Sequence, residues 1–399
     1  MAGGIIVDIF KPSEAMERLP EQFFAKLTKR VIQLKKEGRD IINLGQGNPD
    51  RPTPESIVRK LEEAAKKPAN HGYINFRGLP EFKQAAADYY RREHQVELDP
   101  EKEIAVLFGA KAGLVEISQC FLNPGDTVLL PDPGYPDYMS GTALSAARNV
   151  FMPLREESGF RPDYSKLDKE SLKAARLMFL NYPNNPTAGI ATPAFFEDTV
   201  KVARENGIGV VHDFAYGAIG YDGEKPVSYL ETEGAKDVGV EIFTLSKSYN
   251  MAGWRVGFAA GNEKVIEQIN KLQDHMYVSL FGAVQEAAAE ALTGDQSEVR
   301  ELVAMYERRR DVFIRTLASF GYPAVLPKGT FFCWVPVPDG FTSEGFSEYA
   351  IEQAGVVTAP GNGFGSEGEG YVRVGLLADE KVLREAAERL GRLYTRLKP

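Results

Sequence analysis

The sequence predicts an α/β protein whose larger domain holds a mostly parallel sheet covered by helices, followed by a smaller α+β domain. Two observations predict this fold. Short, apolar, β-rich runs alternate with longer helical patterns through the middle of the chain, and this alternation stops in the C-terminal third. The 399 residues are also too many for one small core. We predict that residues 46–294 form the large domain and residues 295–399 the small one, with residues 1–45 packing on the small domain or on a partner subunit.

The strands of the large domain are predicted from runs that are short, apolar and rich in β-branched residues. These runs are Ile104–Phe108, Thr127–Leu130, Asn149–Leu154, Arg176–Leu180, Gly209–His212, Glu241–Leu245 and Val256–Ala260. Lys111–Leu122 and Pro193–Asn206 are predicted helices between them, and the second ends at Gly207, a common helix stop. In such folds ligands bind beyond the carboxyl ends of the strands, so candidate site residues are sought there.

The two ends of the chain follow other patterns. The C-terminal third predicts a charged helix, three short strands and a final helix; the first four segments are Ser297–Phe320, Thr330–Val335, Val356–Ala359 and Tyr371–Leu376. Pro20–Lys36 is predicted to be helical, in a segment that lacks a core of its own. The Gly-rich run Pro360–Gly370 does not open a helix with dinucleotide-binding spacing, so it is interpreted as a flexible loop before the last strand.

The composition argues against several classes of function. A net charge of −9 does not favour nucleic-acid binding, which normally needs a basic surface. Two cysteines and four histidines without ligand spacing predict neither a disulfide framework nor a metal site. No apolar run approaches the ~18 residues that span a bilayer, and the N-terminus lacks signal-peptide features. We therefore expect a cytoplasmic protein with no membrane or nucleic-acid partner.

The segment FTLSKSYNMAGWRVGF is the most informative stretch for chemistry. Lys247 follows a predicted buried strand, where partial desolvation lowers a lysine pKa and frees the amine to form an imine. Thr244 and Ser246 add hydroxyls and Arg255 adds a cation, which together suit a bound phosphate. An isolated lysine in this place is more often a surface residue, so the interpretation depends on the motifs that precede it.

The motif HDFAYG follows another predicted strand. Asp213 stands at the strand's carboxyl end and Tyr216 three residues later. A buried carboxylate there suits a protonated pyridine nitrogen, and a nearby tyrosine hydroxyl suits the ring's phenolate oxygen. The alternative is that Asp213 only caps a turn or helix, which is common after strands.

Three further motifs contribute candidates. FGAKAGL is a strand, a small-residue turn and a helix start, so the amides of Ala110 and Lys111 suit an anion. Asn185 lies in the sharp turn NYPNNPTAG, where its amide can bind a ring oxygen or a carboxylate. Arg373, inside the apolar strand YVRVGL, either grips a substrate carboxylate or forms a structural salt bridge. Each motif is ambiguous alone, but together they describe one ligand.

In this order the motifs resemble the fold-type-I aminotransferases of class I/II, the aspartate aminotransferase superfamily. The matching segments are INLGQGNPD, YINFRGLPE, FGAKAGL, DPGYPDY, NYPNNPT, HDFAYG, SKSYNMAGWRVG and YVRVGL. The resemblance implies the fold-type-I transferase fold, pyridoxal 5'-phosphate as cofactor, amino-acid and 2-oxo-acid substrates, and a homodimer with shared active sites.

The resemblance also implies the roles of the residues around the cofactor ring. Lys247 would carry the cofactor and act as the general acid and base. Asp213 would pair with the pyridine nitrogen, Asn185 and Tyr216 would bind the ring oxygen, and Tyr135 would stack on the ring.

For the phosphate and the substrate, the resemblance implies two further groups of residues. The phosphate would be held by Ala110, Lys111, Thr244, Ser246 and Arg255. Tyr73 would reach it from the neighbouring subunit, and Arg373 would grip the substrate α-carboxylate with help from Asn185 and the backbone at Gly47. The family commonly has glycine directly after the threonine of its NPT motif, whereas this chain has Ala188 there.

A second group of segments resembles one branch of that family. LPEQFFAKL, VLFGAKAGLVE, LNYPNNPTAGIATPAFFEDTV and QDHMYVSLFGAVQEAAAEAL are similar to the methionine-salvage glutamine transaminases of bacilli, which aminate 4-methylthio-2-oxobutanoate. The alternatives are an aminotransferase of aspartate, aromatic or diaminopimelate specificity, a C–S β-lyase, and an acyl-CoA-condensing synthase. A cofactor-binding regulator is disfavoured because no basic DNA-binding domain precedes the matching region.

Overall fold

The structure is a computed structural model that describes residues 9–397. Within this range twelve strands form three sheets. They are β1 (Ile42–Asn43), β2 (Ile104–Leu107), β3 (Thr127–Asp132), β4 (Arg148–Pro153), β5 (Ala175–Asn181), β6 (Gly209–Asp213), β7 (Gly239–Thr244), β8 (Gly257–Gly261), β9 (Phe332–Pro336), β10 (Val356–Val357), β11 (Ala359–Pro360) and β12 (Tyr371–Gly375).

The same range contains fifteen α-helices, most of which pack on the sheets. They are α1 (Glu14–Glu17), α2 (Phe23–Lys36), α3 (Glu55–Ala65), α4 (Pro80–His94), α5 (Ala110–Phe121), α6 (Tyr138–Leu144), α7 (Lys169–Ala174), α8 (Pro193–Asn206), α9 (Ala235–Val238), α10 (Leu245–Ser248), α11 (Glu263–Met276), α12 (Gly282–Thr293), α13 (Ser297–Ser319), α14 (Ser343–Ala354) and α15 (Glu380–Leu397). None of these helices combines the length and the apolar character needed to cross a membrane.

The large sheet has the strand order β2-β8-β7-β6-β5-β3-β4. Its strands β3 to β7 run parallel, and β8 is antiparallel to both of its neighbours. The predicted mostly parallel sheet is therefore confirmed. Because parallel strands end at the same edge, Asn181, Asp213 and Thr244 at the ends of β5, β6 and β7 lie at that edge.

The C-terminal region has a three-stranded antiparallel sheet, β11-β12-β9, which we call the small sheet. The single strand predicted at Val356–Ala359 is wrong. Val356–Val357 pairs with β1 in a separate two-stranded sheet, whereas Ala359–Pro360 pairs with β12. The Gly-rich run predicted as a flexible loop instead forms two 3₁₀ turns. Asp132 anchors it by accepting hydrogen bonds from Ser366 Oγ (2.8 Å) and from the next backbone N–H (3.0 Å).

Helix α2 packs on the C-terminal part of the same chain. Val31 and Leu34 form a buried cluster with Ile351 and Val357. Leu27, one turn before Val31, contacts that cluster and also the one around Trp334, so α2 has no core of its own. Whether the first 45 residues also contact a partner subunit stays a prediction, as do the predicted domain boundaries.

Candidate active site

A cavity of about 670 Å³ lies at the edge where β5, β6 and β7 end. Phe332 and Arg373 of the small sheet form its opposite wall. Except for Tyr73, every candidate from the sequence lines it: Gly47, Ala110, Lys111, Tyr135, Asn185, Asp213, Tyr216, Thr244, Ser246, Lys247, Arg255 and Arg373. Tyr73 is 87% exposed and lies outside this lining. The fold thus brings together residues that are up to 326 positions apart between Gly47 and Arg373.

Lys247 lies on the short helix α10, which begins directly after β7. Strand β7 ends one residue earlier than predicted because the side chain of Thr244 caps α10 by accepting a hydrogen bond from the Ser246 backbone N–H. Lys247 Nζ donates to the Gly47 carbonyl at 3.0 Å. Burial lowers the pKa of Lys247 to about 8; the charges of Arg373 and Arg255 lower it as well, and Asp213 opposes them. An amine with this pKa is partly uncharged near neutral pH, which suits a nucleophile or a general base.

Asp213 is buried at the end of β6, with both carboxylate oxygens in hydrogen bonds. Oδ2 accepts from the hydroxyl of Tyr138 at 2.8 Å, and Oδ1 accepts from the backbone N–H of Ala215 at 3.2 Å. Burial raises the pKa of Asp213, while the Tyr138 hydrogen bond and the charge of His212 oppose that rise. Tyr138 was missed from the sequence, although it belongs to the motif DPGYPDY.

A second group of residues surrounds the N-terminus of α5. Gly109, the residue before this helix, has φ +82°, and a Cβ there would lie 2.5 Å from Arg255 Nη2. The guanidinium therefore lies directly against the helix N-terminus. The hydroxyls of Thr244 and Ser246 are 3.0 Å apart and also face the cavity. A helix N-terminus, a guanidinium and two hydroxyls form a site for a phosphate-sized anion.

Arg373 is 1% exposed and projects from β12 into the cavity. Its Nη1 donates to Asn185 Oδ1 at 2.8 Å and its Nη2 to the Gly45 carbonyl at 3.1 Å, whereas Nε has no hydrogen-bond partner. The guanidinium lies 4.0 Å from the ring centroid of Phe332. Among the residues that the structure describes, no carboxylate forms an ion pair with Arg373, so the alternative of a structural salt bridge is not observed. A buried guanidinium without an anion suits a substrate carboxylate.

One wall of the cavity was not predicted from the sequence. Phe24, Leu27, Thr28 and Val31 of α2 line the cavity and make this wall largely apolar. Their spacing of three and four residues places them on one helix face, which was visible in the sequence. Their partners, however, lie in the C-terminal third of the chain, and a helical pattern does not identify such distant partners.

Lys111 is a predicted cofactor residue whose side chain is already paired with a carboxylate. Its Nζ forms an ion pair with Asp137 Oδ2 at 3.0 Å, and its side chain is 47% exposed. Asp137 Oδ1 also accepts a hydrogen bond from Gln22 at 3.3 Å. The backbone amide of Lys111 stays available to an anion at the start of α5, but its side-chain charge is already paired.

Comparison with known proteins agrees with this geometry. The family model described as aminotransferase class I and II matches residues 39–390. The chain belongs to this family. It is an aminotransferase, and the family resemblance drawn from its motifs is confirmed.

Individual relatives match this aminotransferase over nearly its whole length. It is 60% identical over 384 residues to the L-glutamine–4-(methylsulfanyl)-2-oxobutanoate aminotransferase of Bacillus subtilis (strain 168), with 96% of each chain covered. It is 42% identical over 378 residues to the LL-diaminopimelate aminotransferase of Halothermothrix orenii, with 95% of this chain and 97% of that one covered. The structure of apo-BacF from Bacillus subtilis superposes with a TM-score of 0.93 at 46% identity, covering 98% of this chain and 100% of that one.

The turn after Asn185 shows how this aminotransferase accommodates Ala188. Ala188 has φ +59°, in the left-handed region that glycine adopts without strain. Its backbone N–H still donates to the Asn184 carbonyl at 2.9 Å, which closes the turn. The turn therefore keeps its hydrogen bond, and alanine holds a conformation that favours glycine.

Replacement of Ala188 with glycine is expected to stabilise the protein by about 0.5 kcal/mol. Relief of the left-handed conformation contributes roughly 1–2 kcal/mol, and the greater freedom of glycine in the unfolded chain offsets part of it. Denaturant unfolding measures the change. Ala203, an equally buried alanine inside α8, is the matched control, and Ala203→Gly should destabilise by about 1 kcal/mol or more. Equal losses in both variants would contradict the strain at Ala188.

Proposed function

We propose that this aminotransferase uses pyridoxal 5'-phosphate and moves the amino group of L-glutamine to 4-methylthio-2-oxobutanoate, as in methionine salvage. The observation that carries the proposal is the content of the cavity. A buried lysine with a lowered pKa and a buried arginine without an anionic partner face the same space. Transfer of an amino group from an amino acid requires two such groups. One is an amine that moves a proton, and the other is a cation that binds the α-carboxylate.

The residues fit the proposed cofactor at both of its ends. The α5 N-terminus with Arg255, Thr244 and Ser246 would hold the phosphate, since the guanidinium and both hydroxyls lie together at this end of the cavity. Asp213 would accept a hydrogen bond from the ring nitrogen, and its enclosed position suits a buried cationic partner. When bound, the cofactor withdraws electrons from the substrate α-carbon and so makes its proton removable.

The chain's own residues then have distinct tasks. Arg373 binds the α-carboxylate and orients the substrate, with Asn185 fixing one side of the guanidinium. Lys247 Nζ takes the α-proton as general base and returns it as general acid, which its pKa near 8 favours at neutral pH. Tyr138 keeps the Asp213 carboxylate in place.

The apolar wall that α2 forms in the cavity favours a substrate whose side chain is neutral and unbranched. Phe24, Leu27 and Val31 offer apolar contact to a methylthio chain. Among the described residues, the arginines of the lining are Arg255 and Arg373, which the phosphate and the α-carboxylate would engage. Lys111 is paired with Asp137 and so is not free for a second carboxylate. Aspartate or LL-diaminopimelate, which carry a second charged end, therefore fit this chain's cavity less well.

An exposed apolar surface supports the proposed homodimer. Tyr73, Phe76, Met276 and Phe281 are between 44% and 87% exposed. The two segments that carry them are adjacent, because a Cβ on Gly282 would lie 2.2 Å from Asn70 Oδ1. A second copy covering this surface would remove these side chains from water and bring its own Tyr73 towards this chain's phosphate site.

Visible absorption of the purified protein tests the function. We expect the yellow colour of bound pyridoxal phosphate, its bleaching by glutamine alone, and its return on adding 4-methylthio-2-oxobutanoate. Bleaching by LL-diaminopimelate or aspartate but not by glutamine would retain transamination and refute the proposed substrates. Release of pyruvate and ammonia from a cysteine conjugate without an oxo acid would favour the C–S β-lyase. No colour even after adding the cofactor would contradict the whole assignment.

The pKa of Lys247 predicts a pH-dependent effect on stability. Below pH 8 the cofactor-free protein buries a charged amine, so Lys247→Met should stabilise it by roughly 3 kcal/mol. Between about pH 8 and 10.5 the Lys247 amine is still protonated in the unfolded chain but not in the folded one, so the stability of the wild type rises with pH. The difference in stability between the wild type and Lys247→Met therefore disappears over this range. Urea unfolding at several pH values measures this, and a pH-independent difference would contradict the lowered pKa.

A further inference from the structure

His212 lies one residue before Asp213 on β6 and is not part of the cavity lining. Successive strand residues point to opposite faces of a sheet, so His212 faces the core behind the site. It is completely buried, with the rings of Phe196 and Phe214 at centroid distances of 5.1 and 5.3 Å. A fully buried imidazole among aromatic rings needs polar partners, and both of its nitrogens have one.

The first partner is Glu241, which lies opposite His212 on the neighbouring strand β7. Glu241 is also completely buried, and its Oε2 lies 2.6 Å from His212 Nδ1. Its carboxylate accepts three further hydrogen bonds, from Tyr90 (2.7 Å), Ser228 (2.6 Å) and the Tyr229 backbone N–H (2.8 Å). The Glu241 carboxylate accepts from all three of these donors, and an ionised carboxylate has no proton to donate. His212 Nδ1 therefore donates to it as well, and this fixes the orientation of the imidazole.

The second partner is the backbone of Tyr182, the residue directly after β5. His212 Nε2 lies 3.2 Å from the Tyr182 nitrogen and 3.1 Å from the Tyr182 carbonyl oxygen. Nε2 either accepts from the N–H or donates to the carbonyl, so it contacts the Tyr182 backbone in either role. His212 thus extends the contact between β5 and β6 beyond the last paired residues, Asn181 and Asp213.

The turn that starts at Tyr182 carries Asn185, the partner of Arg373. On the cavity side, Asn181 bridges this turn to β6, since its Nδ2 donates to the Asp213 carbonyl and its Oδ1 accepts from the Asn185 N–H, both at 2.8 Å. On the core side, His212 makes the corresponding link. The turn is therefore fastened to β6 from both faces of the sheet.

We propose that His212 is a positioning residue that holds the Asn185 turn and Asp213 in register from behind the active site, with Glu241 orienting its imidazole. The inference rests on the proposed function, because Asn185 and Asp213 are the residues that would bind the cofactor ring. His212 touches neither substrate nor cofactor and acts only through these two residues.

Two replacements separate the contacts of His212. Asparagine reproduces the Nδ1 donor to Glu241 but does not reach Tyr182, whereas glutamine reaches as far as Nε2. Retention of pyridoxal phosphate during dialysis of the loaded protein, followed by visible absorption, is the measurement. We expect His212→Asn to lose cofactor about tenfold faster than wild type, and His212→Gln to lose it at nearly the wild-type rate.

Tyr90→Phe is the matched control, because it removes one donor from Glu241, as His212→Gln does, while leaving both His212 contacts in place. It should lower the unfolding midpoint without changing cofactor retention. Equal retention in His212→Asn and wild type overturns the proposal, as does equal loss in the asparagine, glutamine and Tyr90→Phe variants. If His212→Asn does not fold, the test uses His212→Gln alone. Faster loss of pyridoxal phosphate from His212→Gln than from Tyr90→Phe would then contradict a positioning role for the contact with Tyr182. Wild-type protein that binds no pyridoxal phosphate refutes the proposed function itself.

Discussion

Replacement of Lys247 with alanine is expected to abolish steady-state transamination, with a loss of roughly 10⁴-fold or more. The variant lacks the amine that would both hold the cofactor and move the substrate proton. Among the lining residues that the structure describes, Lys111 offers another amine, but it is half exposed and paired with Asp137. No neighbouring group therefore replaces Lys247, and the loss should appear in kcat with both the amino donor and the oxo acid.

The control for this variant is Lys271→Ala on the exposed face of α11, which should leave turnover unchanged. The alanine variant should also retain its fold at neutral pH, because removal of a buried charge offsets the loss of the aliphatic stem in the cofactor-free protein. Near-wild-type turnover of a clean, folded Lys247→Ala protein would contradict the assignment of Lys247.

The sequence predicts the large sheet well because its signals are local. Each strand from β2 to β8 coincides with an apolar run, and the predicted bounds differ by one or two residues at the ends. These differences have local causes; for example, β7 ends at Thr244 and not at Leu245 because the Thr244 side chain caps α10. The strand predicted at Val356–Ala359 fails for a non-local reason. Its two halves pair with β1 and β12, which are distant in the sequence. An apolar run does not show that its two halves belong to different sheets.

The candidate site follows the same division between local and distant signals. Asp213, Thr244 and Lys247 were predictable because the ends of parallel strands meet at one edge of a sheet. Tyr138 was not, because its hydroxyl reaches Asp213 only through the way α6 packs on the sheet. The α2 wall was missed for a similar reason, since Phe24 and Arg373 meet only after both ends of the chain have folded against each other.

The surroundings of Arg373 determine what its replacement should do. Burial lowers the pKa of Arg373 to about 10, while Tyr216 and Tyr135 oppose this, so the guanidinium stays charged at neutral pH. The rings of Phe332 and Phe364 lie 4.0 and 4.7 Å from it and hold the plane of the guanidinium. A lysine in the same place has one nitrogen in place of the planar fork. Its ordinary pKa is also lower than that of arginine, so equal burial brings its charge closer to being lost.

Arg373→Lys is therefore expected to raise the KM of the amino donor and of the oxo acid by roughly 30- to 100-fold, with a smaller effect on kcat. This corresponds to about 2–3 kcal/mol for a charge-assisted, two-pronged contact reduced to a single one. Arg373→Met, which keeps the apolar stem and removes the charge, should be worse for both substrates. The lysine variant should also lose affinity as the pH rises, because its ammonium deprotonates where the guanidinium does not. Unchanged KM values in Arg373→Lys, or an equal rise in Arg373→Lys and Arg373→Met without pH dependence, would show that the carboxylate binds elsewhere in the cavity.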